Sequence, residues 1–523
     1  MQTDSETMSA QPLKQAKSEP ASAQGWRVTL IRMLTGRLTL EDLWLILPLM
    51  MALIFLFNRQ VGPADFWWHV RTGQIIVATG QIPTTDLFTF TRAGQPWTNQ
   101  GWLMQVFLYL ILWAGGLPLI LASHAITITA GYLLVELACL RAAGGRPRPA
   151  ALATVAAMAI GIVHWNVRPQ SASYLCFGVV VYIITRARSR PTRLIWALPP
   201  LFAVWGNLHG GFIFGLGLLS IYTAARVAQE WLAERRLSRA AWRLLAVAAA
   251  SAAALGLNPG GPAQAVRYVI SFLASSATLQ RNLEFQPLNI READGMVFFA
   301  VLLLTLAVLW RRRAPTADQL GILVIFGLAG LYARRIVPWY GMALGPTLAG
   351  ALAAGPGLTA QNARPSKPAL NYAVLGVMAA LVVAFSPWAR PHLPAPLARP
   401  YLAEDITPTE AARWLCQEGS ETRPFTNIFF ASYLAWACPA VPTFMDTRFE
   451  LYPTAMWQDY IRIINAQFGW EERLAHYDVN ALFVQKESEK ELIAAAQASG
   501  RWQTIYEDQF AIIMQRTGSR ATP

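Results

Sequence analysis

Charge is scarce in this chain. Asp, Glu, Lys and Arg make up 14% of its 523 residues, where a soluble domain carries about a quarter. The shortfall excludes an ordinary soluble protein, because apolar residues fill 54% of the sequence and gather in runs long enough to cross a bilayer. Cysteine is rarer still, with four residues in all. Their spacing matches no metal-binding pattern. Missing too are a phosphate-binding glycine loop, a G-x-S-x-G elbow, an H-E-x-x-H pair and paired C-x-x-C motifs. An ATP-driven pump, a serine hydrolase with that elbow and a zinc protease are thereby disfavoured.

Acidic residues are the scarcer sign, 30 against 43 Lys and Arg, which leaves a net charge of +13. The basic residues do not form the broad stripe of a nucleic-acid binder. They sit in short clusters between apolar runs (RAAGGRPR, RARSRPTR, ERRLSR, RRR), as cytoplasmic loops do under the positive-inside rule. Residues 1–25 are polar and lack an apolar core. They read as a disordered cytoplasmic tail, reaching to about residue 35, and not as a cleaved signal peptide.

Candidate spans cover 42–58, 116–140, 149–166, 170–186, 193–207, 211–228, 242–257, 294–310, 317–333, 335–354 and 369–387. The stretch 99–114 is apolar but short and Trp-flanked. If it lies along the interface, all the basic loops fall inside; if it spans, all move outside. Eleven spans with an interfacial or re-entrant 99–114 is therefore the expected topology. The expected fold is a polytopic all-α membrane protein, 36–387, with a first outer loop at 59–98 and a small extracytoplasmic α/β domain at 388–523.

That topology brings the unusual polar stretches to one face: DFWWH, TTD, WTNQ, HWNVRPQ, GNLHGG, NPGGP and RNLEFQP. Asp65 is a candidate base or a helix N-cap. Trp67 and Trp68 read as a stacking platform for a sugar or as interfacial anchors, and His69 as a site residue or a backbone hydrogen-bond partner. Asp86 is a site contact or a turn residue, and Glu284 a second acidic candidate. Asn166 with Arg168, and Asn207 with His209, are polar groups at outer membrane depth, which suits sugar contacts or interhelical hydrogen bonds. Arg334 and Arg335 stand outside against the charge rule. An anionic ligand, an ion pair with Glu284 or Asp65, or snorkelling to headgroups would each account for them.

The pattern D-x-W-W-H, then G-Q-I-I-x-x-G-Q-I-P-x-x-D-x-F-T-F-T and W-x-N-Q-x-W-L, with WGNLHGGF and ARRIVPWY later, resembles the GT-C superfamily of integral membrane glycosyltransferases. More narrowly, it is similar to bacterial relatives of the protein-O-mannosyltransferases and aminoarabinose transferases. The resemblance implies a plasma-membrane enzyme that moves a sugar from a polyprenyl-phosphate donor to a hydroxyl of a glycan, lipid or protein acceptor. It implies Asp65 as catalytic base, Arg334 and Arg335 as phosphate partners, and Trp67, Trp68 and His69 around the donor. The family's first loop carries paired acids; here Phe66 and Trp67 follow Asp65 and the next aspartate is Asp86. A divalent metal, which such a pair would support, has no such motif, and no cofactor is assigned. The other readings open to this sequence are a transporter or lipid flippase, and a membrane scaffold with an outer binding domain. No internal repeat of the transporter kind is visible.

After residue 388 the composition turns soluble. PTEAARWLCQ reads as a capped helix, VPTFMDTR and VNALFVQK as strands, and IYEDQFAIIMQR as a hairpin, with helices at 454–464, 469–477 and 488–499. Asp446, Arg448 and Glu450 read as an ion-pair network. Cys416 and Cys438 would pair if this part is extracytoplasmic.

Overall fold

The computed structural model describes residues 21–273, 283–312, 315–355, 367–419 and 421–518. The predicted tail over 1–20, Arg281, Arg313 and most of the NARPSKP loop lie outside the described residues.

A helix occupies each of the eleven expected span positions. In chain order the helices are α1 (Ala21–Leu34), α2 (Leu40–Phe57), α3 (Phe66–Thr79), α4 (Trp102–Ala142), α5 (Pro147–Gly161), α6 (Ser171–Ser189), α7 (Leu198–Leu208), α8 (Phe212–Glu234), α9 (Arg239–Ala254), α10 (Gly261–Leu273) and α11 (Ala293–Arg312), of which α1, α3 and α10 stand outside the expected spans. They continue with α12 (Ala317–Gly321), which runs through a wider π-helical turn at Ile322–Phe326 into α13 (Gly327–Tyr332), then α14 (Val337–Ala353) and α15 (Pro368–Ala384). Among the described residues six helical stretches are long and apolar enough to cross a membrane, so the chain is an integral membrane protein. Local chemistry fixes the ends. Thr39 and Asp42 form a reciprocal capping box that starts α2, satisfying amides that the first turn leaves open.

One stretch differs from the sequence reading and a second follows it. Ala21–Leu34, inside the expected disordered tail, is helical. Trp26 packs against the bundle and Thr29 Oγ1 donates to Asp42 at 2.5 Å, so apolar and polar contacts both hold it. The second is α4, whose 41 residues contain a break at Gly115 and Gly116. Gly116 has φ 63° and ψ −162°, a conformation closed to residues with a Cβ. Before the break, Leu108 shares one buried cluster with Phe66, Trp67 and Val70 of α3 and with Ile120 and Leu121 just beyond it. Trp102–Ala114 thus lies beside α3 at one end of the bundle.

A small sheet forms the C-terminal region, with β1 (Pro424–Thr426), β2 (Ala481–Gln485), β3 (Trp502–Glu507) and β4 (Ala511–Arg516) in the order β1-β2-β4-β3. β1 runs parallel to β2 and the other pairs are antiparallel. Around it stand α16 (Thr409–Glu418), α17 (Ile428–Ala437), α18 (Thr454–Ile464), α19 (Trp470–His476) and α20 (Lys490–Ser499). VPTFMDTR is not a strand of this sheet. Its Thr443 instead pairs with Thr89 of the first loop, and β1 fills the expected place. Thr409 is the first residue of α16, not its cap. Cys416 and Cys438 form a disulfide with Cα atoms 5.4 Å apart.

The first loop is built into this region. Trp68, Phe88 and Trp97 share a buried cluster with Phe425, Phe444 and Trp457. Val61 pairs with Leu402. Residues 59–101, the α5–α6 and α7–α8 turns, and the C-terminal sheet therefore meet at one pole of the bundle. The basic loops gather at the other, where Arg148 pairs with Glu41 at 2.6 Å and Arg188 pairs with Asp318.

Candidate active site

Asp65 stands at the cap position of α3 but makes no cap hydrogen bond. Its carboxylate is turned instead toward Arg168, whose Nε lies 3.8 Å from Oδ2. Arg168, from the α5–α6 turn, also pairs with Glu284 of the short turn Leu283–Phe285. One guanidinium thus serves two carboxylates. Beside them opens a cavity of about 420 Å³ between the bundle and the C-terminal region, reached by Asp65, His69, Arg168, His209, Glu284 and Arg335. Six residues singled out in the sequence, from five separate segments, line the same space.

His209 is held in one protonation form by its neighbours. The Gly211 amide donates to its Nδ1 at 3.0 Å. Ser173 Oγ lies 2.8 Å from the same nitrogen and itself accepts from Trp205 Nε1 at 2.7 Å, so the serine proton points to the imidazole. With Nδ1 accepting twice, the ring proton belongs on Nε2. Burial, and then the charge of Arg335, depress the His209 pKa to about 3, so the ring is a neutral donor. The turn needs glycine: a Cβ on Gly211 would lie 2.5 Å from Ser173 Oγ and 3.1 Å from His209 Nδ1. His69 Nδ1 accepts from Gln105 Nε2 at 3.2 Å. Burial, and then His209 and Arg448, hold it well below the ordinary imidazole range.

The carboxylates are not equivalent. Burial raises the Asp65 pKa, and Arg168 offsets this only in part. Burial acts on Glu284 as well, but Arg168 and Arg335 prevail and hold its pKa below the usual range. Glu450, which also lines the cavity, is pushed up by burial. The result is one carboxylate held ionised and two with raised proton affinity, a division suited to acid–base work. Arg335 lies over the Phe285 ring with its guanidinium carbon 4.3 Å from the centroid and supplies a cationic wall.

Six other candidates do not reach the cavity. Trp67 donates through Nε1 to Gly62 O at 2.9 Å and packs edge-on against Tyr433. Trp68 donates to Thr447 Oγ1 at 3.0 Å and lies in the core of the C-terminal region. Both are packing residues, because the C-terminal region covers the faces a sugar would need. Asp86 is buried in an ion pair with Arg448, 2.5 Å from its Nη2, and Arg448 also pairs with Asp446 at 2.6 Å. The expected Asp446–Arg448 pairing is thus present, but Glu450 is elsewhere, facing the cavity. Asn166 accepts from Arg59. Asn207 accepts from Trp102 Nε1 at 2.7 Å and from Asn258 Nδ2 at 3.1 Å, so both asparagines tie segments together. Arg334 pairs with Glu292 and, at 3.9 Å, with Asp294. Its partners are these and not Glu284 or Asp65, which Arg168 has taken.

Sequence reasoning missed part of the lining: Trp97, Arg267, Tyr268, Thr447 and Phe449. Trp97 lay within a stretch already marked as unusual; nothing in the spacing of the others sets them apart from surface residues. Among the described residues no group of three His, Cys, Asp or Glu side chains is placed to hold a metal ion.

No family model matches the sequence, and no curated protein matches it. Solved structures do. The arabinofuranosyltransferase AftD from Mycobacteria, in a mutant form, aligns at 16% identity with a TM-score of 0.54, covering 90% of this chain and 41% of that one. This chain thus spans about two fifths of AftD's length. An oligosaccharyltransferase from Archaeoglobus fulgidus, solved in complex with zinc and sulfate, aligns at 12% identity and a TM-score of 0.50, covering 90% and 73%. ArnT from Cupriavidus metallidurans, solved with undecaprenyl phosphate, aligns at 12% identity with a TM-score of 0.48, covering 96% and 100%. The fold of this chain is similar to that of AftD and of the oligosaccharyltransferase.

Proposed function

We propose that this chain is a plasma-membrane glycosyltransferase that moves a sugar from a polyprenyl-phosphate donor to an acceptor hydroxyl on the extracytoplasmic face. The observation that carries the reading is the cavity that joins Asp65, a carboxylate with raised proton affinity, to the Arg335 wall. The acceptor oxygen attacks the anomeric carbon, the bond from that carbon to the phosphate oxygen breaks, and the hydroxyl proton passes to Asp65. The departing phosphate is stabilised by Arg335, with Arg267 at the same wall. His209 Nε2–H adds a fixed neutral donor. Trp97, Phe285 and Phe449 take the place expected of Trp67 and Trp68 as the apolar surface beside a sugar ring. Arg168 keeps Glu284 ionised and steadies Asp65.

With eleven crossings and the basic loops inside, the cavity lies outside the cytoplasm. The Cys416–Cys438 disulfide supports that face, since such bonds persist on oxidising sides of membranes. The pairing of the first loop with the C-terminal region supports one common side for both. The position of Trp102–Ala114 beside α3 supports the interfacial helix on which this count depends.

The test is release of polyprenyl phosphate from a panel of polyprenyl-phosphate sugars by the purified chain, with a hydroxyl acceptor supplied. One donor is expected to release lipid phosphate with the native chain and none with Asp65→Asn, while that variant still binds donor. A native chain that binds none of these donors sinks the reading and favours transport.

A further inference from the structure

The opposite pole of the bundle holds a second concavity, and its chemistry is unlike that of the first. The helix α6 has Arg168 just before its start and Arg188 near its end, which separates the two ends by roughly 27 Å at 1.5 Å per residue. Around Arg188 a hollow of about 550 Å³ is lined by Arg188, Arg190, Arg193, Arg226 and Arg243, with no carboxylate in its wall. A neighbouring hollow of about 360 Å³ shares Arg188, Ser189, Tyr222 and Arg226 with it and adds Arg141 and Thr347. The two share one wall, and Asp318, paired to Arg188, lines the smaller.

The nearby acids are already engaged. Asp318 accepts from Arg188 and, at 2.6 Å, from Thr316 Oγ1. Glu230 takes Arg226 at 2.7 Å and the amide of Ser238 at 2.8 Å. Arg190, Arg193 and Arg243 have no ion pair among the described residues. Polar atoms in the wall also lack partners. Arg188 Nη2, on the shared wall, and Arg141 Nε and Thr347 Oγ1, in the smaller hollow, are buried without a hydrogen bond, and the Thr347 residue is 3% exposed. Buried donors in this state mark a place where an acceptor belongs.

We propose that the larger hollow binds a phosphate-bearing anion, and specifically the headgroup of an anionic phospholipid. The phosphate would lie among Arg190, Arg193 and Arg243, where a charge-assisted contact is available to each oxygen. The rim decides between a lipid and a soluble phosphate. Trp196 lines the pocket and is 49% exposed, and Leu194 and Trp242 beside it are exposed as well. Such a belt suits the headgroup level of a bilayer, with acyl chains running past it.

Native mass spectrometry of the detergent-purified full chain tests this. Phosphatidylglycerol is expected to remain bound at concentrations where phosphatidylcholine does not. The triple variant Arg190→Gln, Arg193→Gln, Arg243→Gln should bind phosphatidylglycerol roughly tenfold or more weakly. Its unfolding midpoint in phosphatidylcholine micelles should match that of the native chain, since all three side chains are exposed. Arg311→Gln, an exposed arginine of the same pole outside the pocket, should retain full binding. Equal retention by the triple variant, or equal loss in Arg311→Gln, overturns the site. Inorganic pyrophosphate that binds through the three arginines while phosphatidylglycerol does not would overturn the lipid and leave a soluble phosphate.

Discussion

Two segments of the first loop contain similar ingredients and end differently. Around Asp65 and around Asp86 the chain supplies an aspartate, nearby aromatic rings and an arginine brought from elsewhere. Asp86 accepts from the amides of Phe88 and Thr89 at 3.1 and 3.2 Å, from Thr89 Oγ1 at 2.5 Å and from Arg448 at 2.5 Å. Its acceptor sites are full, it is buried, and Arg448 lies beneath the Trp97 and Phe88 rings at 4.8 and 4.9 Å. Asp65 forgoes its cap bond, shares Arg168 with Glu284, and keeps 28% of its side chain exposed. Saturation of hydrogen-bond capacity separates scaffold from site here; residue type does not.

The largest effect should come at Asp65. Asp65→Asn is expected to lower sugar transfer about 10²–10⁴-fold with an unchanged unfolding midpoint. A matching loss of stability would erase the contrast with Asp86. On the other side of the comparison, Arg448→Met leaves Asp86 and Asp446 buried without a counter-charge. It should cost about 3–5 kcal/mol, read as a lower denaturation midpoint in detergent. A smaller separation is expected between adjacent arginines. Arg335→Gln should reduce kcat/KM for the donor about 10- to 100-fold, as loss of a charge-assisted contact does, whereas Arg334→Gln, paired to the half-exposed Glu292, should change it less than threefold or so.

The smallest effect is a displacement on the pH axis. Transfer needs Asp65 ionised, and burial raises its pKa, so the rate should fall as pH drops through a value above the ordinary carboxylate range. Glu284 contributes to that rise. Glu284→Gln removes a negative neighbour and frees Arg168, and the acidic limb of the pH–rate profile should move to lower pH. Arg168→Gln should move it upward. Neither histidine supplies this limb, since both are held below the usual imidazole range. An acidic limb unaltered in both variants would place the titrating base elsewhere, with Glu450 next.

Much of the bundle was legible because a bilayer demands long apolar runs, and the charge clusters between them, Arg334 and Arg335 apart, favour one orientation. The reading of 99–114 as an interfacial helix rested on that charge balance alone. Asp65, His69, Arg168, His209, Glu284 and Arg335 stood out because polar groups at outer membrane depth need a reason to be there. Trp67 and Trp68 were misread for a physical cause: a tryptophan at an interface and one in a core have the same composition, and only the partner surface tells them apart. Glu450 was grouped with Asp446 and Arg448 by proximity in sequence, yet the short turn Phe449–Leu451 swings it to the cavity. Arg267 and Tyr268 come from the helix that follows the marked NPGGP stretch, but lie more than a turn beyond it, where the helix has no polar motif of its own. In the C-terminal region, Pro424–Thr426 is too short to announce itself as a strand.

The Asp86–Arg448 contact also sets an order for biogenesis. Its two ends are 362 positions apart, so ribosomal synthesis delivers the aspartate long before its partner. At an elongation rate of about 5–20 residues per second, the first loop waits some tens of seconds with an aspartate it cannot yet neutralise. Every helix between them must be inserted first. The wall that Thr447, Phe449 and Glu450 give to the cavity is therefore the last part to arrive, and a truncated chain has no finished chamber in which to react.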